Sequence, residues 1–263
     1  MTHFYGYLNT VNYICNMENE ILVVIPWLPS AAQGSELRWA VAGWRRHFKQ
    51  AHRIVVVGDG VTGKVPAGCT AVESPRVADV PGMYRQHLDY VSCLRKVRAA
   101  FPGHNGFILV ADDCYAVNDF DMADVLFLKQ IADTFAGVQV AANGWLVDKW
   151  RTAQALKAGG WPCRNCTTHL PQFFEWDKWE ALVQRYEMDR VSYTIEDLYY
   201  NIYYPRRVFF QLNATDNLKF GLYEQGITAE QIRGVMRRKI WLTNSPVGWS
   251  ADLEAVLAEH FAD

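Results

Sequence analysis

The chain has no long hydrophobic run. Its longest, Ile21-Leu-Val-Val-Ile-Pro-Trp-Leu28, falls far short of the ~20 apolar residues that cross a bilayer, so no transmembrane helix is expected. Charge of one sign is also missing: 26 Lys and Arg stand against 28 Asp and Glu, a net charge of −2 over 263 residues. Gripping a polyanion takes a basic stripe, so nucleic acid is disfavoured as a partner. Cysteine is sparse, and of the six only Cys163 and Cys166 form a spaced pair. The opening Met1-Thr-His-Phe-Tyr-Gly-Tyr lacks the basic-then-apolar pattern of a secretory signal. Reduced thiols and a cytoplasmic location are the resulting expectation. There is no internal repeat, low-complexity segment or Gly/Ser-rich linker. A solenoid and a pair of flexibly tethered domains are thereby disfavoured. The expected organisation is an extension over 1–18 followed by one domain over 19–263.

What is present is half apolar residues and many rings, with ten Trp and thirteen Tyr. Such rings stack on bases or sugars, and they fill cores equally well. Ile21–Pro26 reads as a buried strand, followed by a Pro/Gly loop in which Ser35 can cap a helix over Glu36–Lys49. A second strand over Arg53–Val57 ends in Gly58-Asp59-Gly60, and a short third covers Thr70–Val72. A long helix is predicted over Met83–Ala100, then a strand from Gly106 to Ala111, a helix from Met122 to Phe135 with Asp121 at its start, and a strand over Val138–Ala142. Strand–helix–strand at this spacing makes a βαβ unit, so 19–142 reads as α/β with a mostly parallel, doubly wound sheet. The character changes after Asn143. Trp145, Trp150, Trp161, Trp176 and Trp179 punctuate polar stretches, and helices are predicted over Glu175–Tyr186, Glu196–Tyr203, Thr228–Arg238 and Ser250–Phe261.

The segment around which the rest is arranged is Gly106-Phe-Ile-Leu-Val-Ala-Asp112-Asp113. A strand buried on both faces runs directly into two carboxylates, and unpaired charge cannot enter the core. The acids must emerge at the strand's carboxyl end, where open α/β sheets bind ligands. Two adjacent anions there suit a divalent cation, while the alternative is a strand-end turn capping the next helix. Asp59 ends the neighbouring strand at the same edge, suited to a base N–H, a ribose hydroxyl or simply its own turn. Arg38 and Arg85, with Arg95 and Lys96, are helix cations able to face phosphate oxygens; Arg38 stands out because it follows the first strand so closely. Cys163-x-x-Cys166-x-x-His169 has zinc-like spacing, but structural zinc needs a fourth ligand that does not follow. His169, just ahead of Pro171, is expected in extended backbone and could complete an Asp/His metal site. Glu196 and Asp197 open a helix, where the dipole favours acids and where a carboxylate near a sugar cleft could act as general base.

Four stretches in order resemble the GT-A glycosyltransferases of capsule and phage type and the Stealth group of hexose-1-phosphate transferases. They are Glu36-Leu-Arg-Trp-Ala-Val-Ala-Gly-Trp with Arg53-Ile-Val-Val-Val-Gly-Asp59; Phe107-Ile-Leu-Val-Ala-Asp-Asp-Cys-Tyr; His169-Leu-Pro-Gln-Phe-Phe-Glu-Trp-Asp-Lys; and Asp197-Leu-Tyr-Tyr-Asn201. Ala111 stands where those groups carry Asn. The resemblance implies a GT-A fold over roughly 21–204, with a nucleotide-binding half (19–142) and an acceptor-side, helical C-terminal half (143–263). It implies Mn²⁺ or Mg²⁺ on Asp113 and Asp112 with His169, and a UDP- or GDP-sugar donor held near Pro26, Arg38, Asp59, Arg85 and Asp112. The Glu196-Asp197 pair is similar to the acidic dyad of many inverting GT-A enzymes, whose second acid activates the acceptor. The implied activity is sugar transfer to a carbohydrate or other hydroxyl, as in surface polysaccharide or glycoconjugate synthesis. Sugar-1-phosphate transfer, or sugar binding without turnover on the same fold, are the alternatives.

Overall fold

The computed structural model describes residues 20–132, 134–139 and 144–262. In chain order the elements are β1 (Ile21–Pro26), α1 (Glu36–His47), β2 (His52–Gly58), β3 (Thr70–Glu73), α2 (Arg85–Ala100), β4 (Gly106–Leu109), β5 (Cys114–Ala116), α3 (Met122–Leu126) and β6 (Lys129–Gln130). There follow α4 (Gly144–Ala158), β7 (Gln172–Glu175), α5 (Trp176–Arg185), α6 (Ile195–Tyr203), β8 (Phe210–Gln211), β9 (Lys219–Leu222), α7 (Ala229–Met236), β10 (Trp241–Asn244) and α8 (Ala251–His260). No helix among the described residues is long and apolar enough to cross a membrane.

The apolar run of β1 buries all six of its residues, as a strand covered on both faces must. It lies at the centre of a sheet ordered β3-β2-β1-β4-β7, parallel throughout except for β7, which pairs antiparallel with β4. Side chains of a strand alternate between faces, so this sheet feeds two cores. Leu22, Val24, Val55, Val57 and Phe107 pack on one side against Val91, Leu94 and Val97 of α2. Val23, Ile25, Val56 and Ile108 pack on the other against Leu37, Val41 and Trp44 of α1. The architecture is therefore α/β, with a mostly parallel sheet and helices on both faces.

A second sheet, β5-β10-β9, stands beyond the carboxyl end of β4. The expected strand Gly106–Ala111 stops at Leu109, and the chain turns through Asp112 and Asp113 into β5, with the Cys114 N–H donating to the Ala111 carbonyl at 3.3 Å. The acid pair thus occupies the junction between the two sheets. Helix α1 bridges this junction at short range. A Cβ built on Gly43 would stand 2.6 Å from the Ala116 carbonyl oxygen, which is backbone and cannot swing aside. Gly43→Ala is expected to cost about 1–3 kcal/mol, read as a lower urea midpoint at unchanged m-value.

The second half of the chain departs from its prediction in instructive ways. Besides helices it supplies β7 to the main sheet and β9 and β10 to the second, and α4 was not foreseen at all. The helix expected over Met122–Phe135 ends at Leu126. Asp121 does open it, in a capping box with Asp124. The buried ammonium of Lys129 closes it by donating to the carbonyls of Asp124 and Phe127. Of the strand expected over Val138–Ala142, residues 138 and 139 form no strand and 140–142 lie outside the described residues. The Trp-rich stretch is partly core: Trp176 and Trp179 are fully buried, the former stacked on Phe107 with centroids 4.0 Å apart, while Trp145, Trp150 and Trp161 are half-buried.

Candidate active site

The carboxyl ends of β1, β2 and β4 open into a cleft of about 600 Å³. That is within the range of pockets that enclose a cofactor-sized ligand. Pro26 and Asp59 line it from the strand ends, Arg76 from the loop after β3, and Arg85 and Tyr90 from the start of α2. The strand ends are pressed tightly together there. A Cβ on Gly58 would fall 1.9 Å from the Trp27 carbonyl oxygen, so only glycine fits.

Asp112 and Asp113 form the floor of the cleft, half-buried. Both carboxyls are pushed above the usual carboxylate range. For Asp112 the causes are burial first, then Asp113 and Glu36; for Asp113 burial and then Glu36, with Lys219 pulling the other way. The Asp113 Oδ1 is buried and accepts no hydrogen bond. Glu36, which opened a helix and a resembling stretch in the sequence but was given no site role, is the third carboxylate here. It is held by the Gln33 N–H at 2.8 Å and the Asn244 amide at 2.7 Å. The expected Ser35 cap makes no side-chain bond, and Glu36 organises that helix start instead.

These residues fit a hard divalent cation. Oxygen donors are crowded, mutually repelling and incompletely satisfied, as a carboxylate pair that shares an ion with phosphate would be. Among the described residues no three His, Cys, Asp or Glu side chains close into a metal cage. His169 in particular is not gathered with the two aspartates into such a set.

The cleft lining also carries two arginines. Arg85 leans on Asp79 at 3.3 Å through Nη1, while its buried Nε has no partner. Arg76, which the sequence offered no reason to single out, lines the same cleft and is braced by Asp89 at 2.9 Å. Asp59 stands exposed at the rim. The turn that could have occupied it is tied by Glu73 instead, which accepts from the Gly60 and Thr62 N–H groups and the Thr62 hydroxyl. Arg38 is a correction. It is exposed and lies over the Trp39 ring at 4.6 Å, outside the cleft lining. Two residues along a helix is a turn of about 200°, so with Glu36 facing the cleft Arg38 must face away. Arg95 and Lys96 are likewise exposed on the far side of α2, Arg95 near Asp189 at 3.5 Å.

A smaller pocket of about 180 Å³ adjoins the cleft and shares Pro26, Tyr84, Gln86 and Tyr90 with it. Trp145, alone of the five Trp in its stretch, lines it, as do His87, Ala111, His169 and Glu196. The single-carbon side chain of Ala111 leaves this wall open where Asn would protrude. His169 has a φ of 55°, in the left-handed region. The bias toward extended backbone applies to the residue directly before Pro171, which is Leu170. His169 is exposed where it lines the pocket, and its pKa is lowered, by burial first and then by the Lys219 and Lys149 cations, which favours the neutral ring.

The two acids of α6 separate cleanly. Glu196 is half-buried on the pocket wall, with its pKa raised chiefly by burial and then by Asp197, against the pull of His87 and Lys149. Asp197 is fully enclosed. It pairs with Lys149 at 2.5 Å and accepts from the Thr194 hydroxyl at 2.6 Å, the Cys166 N–H at 2.7 Å and the Thr167 hydroxyl at 3.1 Å. Its oxygens are consumed in holding the 164–167 loop, so it has none to offer an acceptor. Asn201 finishes that clamp on the Arg164 backbone. Cys163 and Cys166 are free, buried thiols within the same clamp, and the zinc reading finds no ligand set among the described residues.

No protein-family model matches the chain, and no curated protein does. Among solved structures it is similar to a glycosyltransferase involved in the glycosylation of the major capsid of PBCV-1. That match is 9% identical and covers 93% of this chain and 100% of the other, with a TM-score of 0.39. It is also similar to an active-site mutant of LgtC, at 12% identity over 92% of this chain and 94% of the other, with a TM-score of 0.45. Neither likeness reaches a TM-score of 0.5.

Proposed function

We propose that the chain is a metal-dependent glycosyltransferase of GT-A type that moves a sugar from a UDP- or GDP-sugar to a hydroxyl acceptor. One observation carries the reading. One cleft is lined both by a carboxylate pair with an unsatisfied oxygen on Asp113 and by an arginine with an unsatisfied Nε at Arg85. The first atom has room for a cation and the second for an acceptor oxygen, and a metal-bound diphosphate offers both.

In this reading Asp112 and Asp113 hold the ion, Arg85 and Arg76 hold phosphate oxygens, and Asp59 meets the nucleoside at the rim. Bound Mn²⁺ or Mg²⁺ would neutralise the diphosphate and stabilise it as a leaving group. The adjoining pocket takes the transferring sugar and the acceptor, with the Trp145 ring as an apolar wall. Glu196 binds the acceptor hydroxyl there, and His169 contributes a neutral donor or acceptor rather than a charge.

Thermal shift against a panel of UDP- and GDP-sugars, with Mn²⁺ or with EDTA, tests this. A ligand at about 100 times its Kd adds about 2.7 kcal/mol, which is roughly 5–10 °C for a domain of this size. The shift is expected with Mn²⁺ and absent with EDTA; an equal shift under both conditions would sink the metal–diphosphate assignment. Turnover should release UDP or GDP. Release of UMP or GMP would mean attack at phosphorus, and hence sugar-1-phosphate transfer.

A further inference from the structure

His87 belongs to the first turn of α2 and Asp148 to α4, and neither bears on donor binding as described above. Asp148 is completely buried. It accepts from Arg151 Nη1 at 2.6 Å, Ser192 Oγ at 2.6 Å and His87 Nδ1 at 2.7 Å. A carboxylate only accepts, so Nδ1 carries a proton, and in the neutral ring the lone pair is on Nε2. The His87 side chain is 10% exposed, and the surface it shows lines the small pocket that also holds Glu196. Among the described residues Nε2 has no protein partner.

We propose that His87 is the general base of the transfer and that Asp148 is its positioning residue. The inference rests on the transferase reading and names the group that takes the acceptor's proton. The acceptor O–H proton passes to Nε2 while the acceptor oxygen forms its bond to the anomeric carbon. The bond from that carbon to the diphosphate oxygen breaks, and its electron pair leaves on the diphosphate. The imidazolium so formed is stabilised by Asp148, whose own geometry is fixed by Arg151 and Ser192. Glu196 presents a carboxylate to the pocket and, among the described residues, no other side chain hydrogen-bonds to it, which suits orienting a hydroxyl. His87 has both a fixed direction and a compensated charge, which suits removing a proton.

The test is release of nucleoside diphosphate from UDP- and GDP-sugars in Mn²⁺, with water in the acceptor's place, across pH 5–9. The charged and titratable groups around His87 are Asp148 and Arg151 from α4, Glu196 from α6, Tyr84 beside the start of α2 and Tyr90 on it, and His169 across the pocket. His87→Gln is expected to lower kcat by about 10²–10⁴-fold. Its donor KM and donor-induced thermal shift should stay at wild-type values, which shows that the variant is folded. The acid limb of the kcat profile should disappear in it. Free imidazole should restore turnover to His87→Ala, which a structural role would not allow. Asp148→Asn should move the acid limb to lower pH, because the imidazolium loses its counter-ion. Wild-type kcat and an unchanged acid limb in His87→Gln, with donor turnover intact, would overturn the inference alone. No turnover of any sugar nucleotide by the wild-type chain would overturn the transferase reading and this inference with it.

Discussion

Asp113→Asn is expected to abolish the Mn²⁺-dependent thermal shift with sugar nucleotides and to lower kcat/KM by about 10³-fold, or about 4 kcal/mol of transition-state stabilisation. The substitution keeps the shape of the side chain and removes the charge that a cation requires. It also removes one of three carboxylates, Glu36, Asp112 and Asp113, that repel one another across the cleft floor. The melting temperature without metal should therefore hold or rise as activity falls, a trade often seen where strain is stored for function. Isothermal titration with Mn²⁺ and scanning calorimetry of the apo variant measure the two halves separately. Retained metal-dependent donor binding would remove Asp113 from the site.

The second large effect lies in the buried pair of Lys149 and Asp197. Their side chains are 2% and 0% exposed and 2.5 Å apart. Lys149→Met leaves a carboxylate unpaired in the core, and Asp197→Leu strands the ammonium; each is expected to cost about 3–5 kcal/mol. For a protein of this size that is on the order of 10 °C in melting temperature. The double variant should be less destabilised than the sum of the two, since neither charge is then left alone. It will not return to wild type, because Asp197 also holds the Cys166 N–H and the hydroxyls of Thr167 and Thr194. Additive costs in the double-mutant cycle would mean that the pair is not coupled. The same network assigns Asp197 to building the pocket and leaves the pocket-facing role to Glu196, although the two are adjacent in sequence.

Much of the fold was legible because burial leaves a plain signature in composition. The apolar runs of β1, β2 and β4 announced a sheet covered on both faces, and the acid pair at the end of one run announced its carboxyl edge. Where reading failed, side-chain and strand contacts that propensity does not record decided the outcome. Lys129 ends α3 by reaching back to its last carbonyls, which no helix propensity records. The antiparallel β7 is an apolar run too short to distinguish from the start of the helix that follows it. Arg38 failed for a different reason: nearness to a strand end was considered without the angle at which the helix presents each residue.

The sequence by itself determined the parallel core, the place of Asp112 and Asp113 at its edge, and Asp59 beside them, because periodicity and the cost of burying charge are local properties. Only the tertiary structure decided which polar groups go unsatisfied. The orphaned oxygen of Asp113, the orphaned Nε of Arg85, the enclosure of Asp197 and the union of His87 with Asp148 depend on side chains up to 61 positions apart meeting in space. A hydrogen bond is satisfied or not by geometry within a fraction of an ångström, and that information exists only once the chain has folded.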